Sequence, residues 1–188
     1  PLINNSFCML YVVVCAALCF MAAHIIAWPI LLCSAVFWIL ALLAVVNYAS
    51  GTPSKWLNSL FLRLLAGCLV ITAFWESLQV LRALPNGVNW LLYGLAIVWV
   101  ADSAAYVGGR LMGRTLLAER VSPKKTWQGV WTGIIACALL SLVGKFWLGI
   151  DGRHVWQFVA ITLVAAIWSV VGDLFESVFQ NEFADKFK

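Results

Sequence analysis

The sequence predicts an all-α, polytopic integral membrane protein with about six transmembrane helices, and three observations carry that expectation. Of the 188 residues, 64% are hydrophobic and 11% charged, against roughly 25% charged in a soluble domain. That much apolar surface cannot be hidden inside a soluble fold of this size, and lipid is the solvent that suits it. No Lys, Arg, Asp or Glu occurs between Pro1 and Ser54; the first charge is Lys55. Three later windows, Ala83 to Ala101, Thr126 to Gly144 and His154 to Gly172, are each 19 residues without a formal charge, close to the length a crossing helix needs.

Taken in order, the uncharged first segment has room for two spans, near 10–28 and 29–47, divided at Trp28-Pro29. Their separation is tight, so a re-entrant or kinked arrangement stays open. The chain starts with Pro1 and shows neither a basic n-region nor a small-residue cleavage pattern, so no signal peptide is expected; it reads as a segment of a longer or processed protein. Ser-Gly-Thr-Pro-Ser before Lys55 is a loop. Span three, near 57–81, is interrupted by Arg63 and Glu76, which either pair with other helices or mark a span end. Leu84-Pro85-Asn86-Gly87 makes a turn. Spans four, five and six lie near 83–107, 127–150 and 154–179, with a basic loop at 108–126 and an Asp151-Gly152-Arg153 turn between the last two. The whole of 1–188 reads as a single membrane domain without internal repeats. Membrane strands are not expected, because the apolar runs exceed the about 9–11 alternating residues of such a strand.

The six cysteines all lie in apolar runs without a CxxC pair or a histidine at ligand spacing, so neither a disulfide framework nor zinc is inferred. His24 and His154 read as packing or interfacial residues. Trp28, Trp56, Trp90, Trp127, Trp147 and Trp156 fall near span ends, as an interfacial belt expects. Six spans place nine basic residues (Lys55, Arg63, Arg110, Arg114, Arg120, Lys124, Lys125, Lys186 and Lys188) on the side of both termini, and three (Arg82, Lys145 and Arg153) on the other. That asymmetry predicts a cytoplasmic basic loop.

The chemistry concentrates there. The formal net charge is +4, and Arg110 to Lys125 alone, with five basic residues and Glu119, accounts for it. Ser122 is placed to cap a helix beginning near Pro123, whose N-terminus would offer free N–H groups to an anion. Lys124 and Lys125 add charge, Thr126 a hydroxyl, and Gly108, Gly109 and Gly113 room for close backbone approach. This is either a phosphate site or a plain positive-inside loop drawn to anionic headgroups. It is not a Walker loop. Asp102 near the end of span four, and Asp173 and Glu176 near the end of span six, fall on the same side. Asp173, Glu176 and Ser177 share a helix face, as do Asp102 and Tyr106. Such acids either hold Mg²⁺ shared with substrate phosphates, or pair with Lys124 or Lys125 as structural ion pairs.

The segments Ala101-Asp102-Ser103-Ala104-Ala105-Tyr106, Gly109-Arg110, Val121-Ser122-Pro123-Lys124-Lys125-Thr126-Trp127-Gln128-Gly129 and Gly172-Asp173-Leu174-Phe175-Glu176-Ser177 together resemble the phosphatidate cytidylyltransferase family, the CDP-diacylglycerol synthases, over about Trp99 to Ser177. The resemblance implies a polytopic enzyme of phospholipid biosynthesis in the bacterial inner membrane. It would join CTP to phosphatidic acid, release pyrophosphate and require Mg²⁺ or another divalent cation. It implies Lys125, Asp102 and Asp173 as catalytic residues, Ser122, Lys124, Thr126 and Arg110 as substrate-binding residues, and Asp173 and Glu176 as metal ligands. CTP, phosphatidic acid and membrane lipid are the implied partners, with no nucleic acid; a homo-oligomer is compatible with small residues in the spans. After Ser177 the pattern departs. Gln180 and Asn181 stand where the family has a basic pair, Lys186 matches the next lysine, and Phe187 replaces its aspartate. The family's later acidic segment does not occur within the 188 residues. The alternative expectations are an inactive member binding anionic lipid or a membrane partner, and a small transporter with Asp102 and Asp173 lining a path.

Overall fold

A computed structural model describes residues 5–22, 27–52 and 59–185. His24, Lys55, Trp56, Lys186, Phe187 and Lys188, and the first residues of the expected third span, lie outside the described residues. The chain forms α1 (Asn5–Ala22), α2 (Ala27–Ala49), α3 (Leu60–Ala83), α4 (Gly87–Met112), strands β1 (Leu116–Ala118) and β2 (Ser122–Thr126), α5 (Trp127–Leu148) and α6 (Val155–Asp185), the last preceded by a 3₁₀ turn at Gly152–His154. The all-α membrane class holds. Five helices, α2 to α6, are long and apolar enough to cross a bilayer, and α1 is an apolar helix with a shorter core, Cys8–Phe20.

Local chemistry sets the boundaries. Pro29 stands in the first turn of α2, where its missing N–H has no intrahelical partner to lose. α3 runs unbroken through Arg63 and Glu76. It stops at Leu84-Pro85, and Asn86, at φ 58°, turns the chain so that its carbonyl accepts the Asn89 and Trp90 N–H groups that open α4. Gly149 ends α5 in the left-handed conformation (φ 67°), with the Gly149 and Ile150 N–H groups both returning to the Lys145 carbonyl. α4 continues to Met112, five residues past its expected end at 107. Asp102 therefore stands ten residues before the end of its helix, about 15 Å at 1.5 Å per residue.

The expected helix start at Pro123 is not found. Ser122 to Thr126 is extended and pairs antiparallel with β1, Leu116 opposite Thr126 and Ala118 opposite Ser122. The residue before a proline is pushed toward extended backbone, and in a two-stranded ribbon Pro123 lies on an edge, where it is tolerated. The helix begins four residues later. Thr126, not Ser122, is the cap: its Oγ1 accepts the Gly129 N–H at 3.2 Å.

The chain divides into two compact units. In the first (Pro1–Leu40 and Lys55–Pro85) α1 packs on α3. The Tyr11 hydroxyl donates to the Leu64 carbonyl (3.1 Å), and the Cys15 and Cys68 thiols lie 3.4 Å apart. Glu76 is buried in α3.

The second unit (Ala41–Ser54 and Asn86–Lys188) holds α4, the hairpin, α5 and α6. Its core is Tyr93, Ile97 and Ala101 of α4, Cys137 of α5, and Phe158 and Ala166 of α6. Tyr93 stacks on Phe158 at 5.0 Å. Its hydroxyl meets Thr162 Oγ1 at 2.9 Å, and because Thr162 donates to the Phe158 carbonyl, Tyr93 is the donor. α4 and α5 approach closely through small residues at four-residue spacing: Ala101, Ala105 and Gly109 face Gly129 and Gly133. A Cβ at Gly129 would stand 2.7 Å from the Ala105 carbonyl oxygen, and one at Gly133 3.0 Å from that of Ala101. The Thr132 hydroxyl shares its hydrogen between the Gly129 carbonyl of its own helix (2.8 Å) and the Ala104 carbonyl of α4 (3.0 Å).

Candidate functional site

Within the second unit a cavity of about 540 Å³ opens among α4, β2, α5 and α6. Helical spacing puts Asp102, Tyr106 and Arg110 in register along α4, four residues apart, so all three line it. β2 contributes Ser122, Lys124, Lys125 and Thr126, and α6 contributes Asp173. The remaining wall is apolar or small: Ala101, Ala105, Val130, Gly133, Ile134, Ala166 and Val170. The cavity thus has a cationic, hydroxyl-bearing part joined to a lipid-like part.

The polar groups are already organised. Lys125 Nζ donates to Asp173 Oδ2 at 2.9 Å, with the two side chains 27% and 48% exposed. Of the lysine–acid pairings open to the sequence, this is the ion pair formed among the described residues. Arg110 donates to the Tyr106 hydroxyl at 3.1 Å. Asp102 lies within electrostatic reach of both Asp173 and Lys125, repelled by one and attracted by the other.

The structure brings together Arg110, Ser122, Lys124, Lys125, Thr126, Asp102 and Asp173. It leaves out Glu176, one turn along α6, whose Oε1 accepts from Gln180 at 3.0 Å; Ser177 turns back to the Asp173 carbonyl. Among the described residues no three carboxylate, histidine or cysteine groups cluster as a metal cage. The glycines also make room within the protein. Gly108 makes room for Thr132, and a Cβ at Gly113 would collide with the Gly109 carbonyl and press on Thr126. Gly109 lies against the Thr126 hydroxyl and lines the cavity.

Two residues make contacts that the sequence does not announce. Gln128 Oε1 accepts the backbone N–H groups of Arg114 and Thr115 and the Thr115 hydroxyl (3.1–3.3 Å), fixing the base of the hairpin. Asn181 Nδ2 donates to the Val121 carbonyl at 2.9 Å. Gln128 stands inside a recognisable run, Ser122 to Gly129; Asn181 is marked in the sequence only as a departure from the family's basic pair, and its partner lies sixty residues away.

Fold and cavity define a polytopic membrane protein with an anion-suited pocket that is continuous with an apolar wall. The chain belongs to the cytidylyltransferase family, whose model matches residues 2–186. It is 34% identical over 155 residues to a phosphatidate cytidylyltransferase of Haemophilus influenzae, covering 78% of this chain and 54% of that protein. It is 31% identical over 157 residues to that of Pseudomonas aeruginosa, covering 84% and 57%, and 34% identical over 101 residues to that of Staphylococcus haemolyticus, covering 54% and 38%. The chain spans about half, or less, of the length of these relatives. No solved structure matches it.

Proposed function

We propose that this chain carries the substrate cavity of a phosphatidate cytidylyltransferase, converting CTP and phosphatidic acid to CDP-diacylglycerol and pyrophosphate. The observation that carries the reading is the composition of one cavity: three cationic side chains, three hydroxyls and two carboxylates share about 540 Å³ with an apolar helix wall. That volume falls in the about 300–1,000 Å³ range of small-molecule sites. A headgroup in the polar part and acyl chains along the apolar part suit a phospholipid.

In the reaction a phosphate oxygen of phosphatidic acid attacks the α-phosphorus of CTP. A new P–O bond forms as the bond to the β-phosphate oxygen breaks, and pyrophosphate leaves with that electron pair. No protein nucleophile is needed; positioning and charge neutralisation are the contribution. Arg110, Lys124 and Lys125 offset phosphate charge, and Ser122 and Thr126 offer hydroxyl contacts. The ion pair with Asp173 holds Lys125 at the cavity until an anion competes for it.

Two carboxylates at one cavity, Asp102 and Asp173, fit Mg²⁺, which binds through one or two protein carboxylates and takes its other ligands from phosphates and water. When bound it supplies further charge neutralisation at the phosphates. Glu176, engaged with Gln180 and off the cavity lining, is left out of that ligand set. The excess of basic residues on the hairpin side supports a cytoplasmic hairpin in a bacterial inner membrane.

The test is turnover by the purified chain in vesicles containing phosphatidic acid and Mg²⁺, with radiolabelled CTP added outside. Product is expected only from protein oriented with its hairpin outward. It should fall about 10- to 100-fold in Lys125→Ala and Asp173→Ala, the size of a lost charged contact. Phosphatidic acid binding without product, from folded and inserted protein, would favour the non-enzymatic alternative.

A further inference from the structure

We infer that Asn181 is a positioning residue that clamps the lysine-bearing strand β2 along α6. Its side-chain amide donates to two successive carbonyls at the hairpin tip, Val121 at 2.9 Å and Arg120 at 3.5 Å. A tight turn leaves such carbonyls to water unless a donor reaches them. The tip is anchored beside this contact: Val121 is 2% exposed, and Val178, one turn before Asn181, is fully buried.

The spacing shows what the clamp does. α6 holds the β2 segment at two points, Val121, the turn residue before the strand, through Asn181, and Lys125 through Asp173. Asp173 and Asn181 are eight residues apart on a helix, about 12 Å. Val121, in the turn, and Lys125, in the strand, are four residues apart, at most about 13 Å. The two contacts occur in opposite order along the two segments, so β2 runs antiparallel to α6, with Ser122 and Lys124 between the held ends. At the far end Thr126 caps α5, and the Trp127 N–H bonds the Thr115 carbonyl. Thus the neutral amide at 181 sets where the cavity lysines stand without itself lining the cavity. The functional part of this inference rests on the proposed reaction; the structural part does not.

Asn181→Asp tests it, because the shape is kept while the donor becomes an acceptor facing two carbonyls. If the clamp holds β2 in its binding-competent position, the variant populates that position less. Apparent affinity then falls by that fraction, while saturating substrate restores the rate. Amide hydrogen exchange should quicken about tenfold at Leu116 to Thr126 and not in the α4–α5 pair. KM for CTP should rise about tenfold with kcat little changed, and Asn181→His, which keeps an N–H donor, should recover part of both. Unchanged hairpin exchange would overturn the inference. So would a fall in kcat and melting temperature with KM unmoved, the pattern of general destabilisation. If the wild-type chain makes no product, the proposed reaction fails, and the exchange experiment alone decides the clamp.

Discussion

Lys125 and Asp173 form an ion pair in the cavity, yet their exposure means that the pair adds little to stability, about 0–1 kcal/mol for such solvent-screened contacts. Its value is positional: a cation is kept at the cavity at small cost and can be drawn off by a more strongly charged phosphate. Tyr93 is the opposite case, a buried polar contact with no part in the cavity. Tyr93→Phe removes the donor to Thr162 but leaves Thr162 bonded to the Phe158 carbonyl. A loss of about 0.6–1.7 kcal/mol is expected, the range for side-chain hydrogen bonds between membrane helices. It should appear as a lowered melting temperature in detergent with CTP binding unchanged; altered binding with unchanged melting would contradict this division of labour.

At the scale of elements, the close α4–α5 contact supports the cavity wall. Gly129→Ala pushes a methyl against the Ala105 carbonyl and should cost about 1–3 kcal/mol. Gly94→Ala on α4 meets nothing within 4 Å and should be neutral or slightly stabilising. Equal melting of the two variants would refute the packing account. Long charge-free windows made the helices legible, because a crossing helix must satisfy its backbone within itself. The end of α4 was not legible: Gly108 and Gly109 look like breakers, but tertiary packing on Thr132 and Thr126 uses them within the helix. Nor was the hairpin. Ser-Pro-Lys-Lys-Thr has little strand propensity; its extended form is held by pairing with β1, with Gln128 bonded to the residues before β1 and Asn181, distant in sequence, to the turn before β2. The cavity residues themselves were readable, since Asp102, Arg110, Ser122, Lys124, Lys125, Thr126 and Asp173 all line one space. Glu176 shows the limit of helical spacing as evidence: it was grouped with Asp173, but stands off that cavity and bonds Gln180 instead.

Across the molecule, the formal charge of +4 resides between Arg110 and Lys125, and the second unit folds that segment against the acids of α4 and α6. Lys145, in the last turn of α5, lies outside the cavity lining and serves as an internal reference. The central claim is that this cavity binds the phosphates of a nucleoside triphosphate. Equilibrium binding of radiolabelled CTP to the purified chain in lipid vesicles tests it without requiring turnover. The account predicts that Lys124→Ala/Lys125→Ala weakens binding at least about tenfold, the loss of charged hydrogen bonds worth about 1.5–3 kcal/mol each, while Lys145→Ala binds as the wild type does. Equal affinity in all three proteins would contradict it.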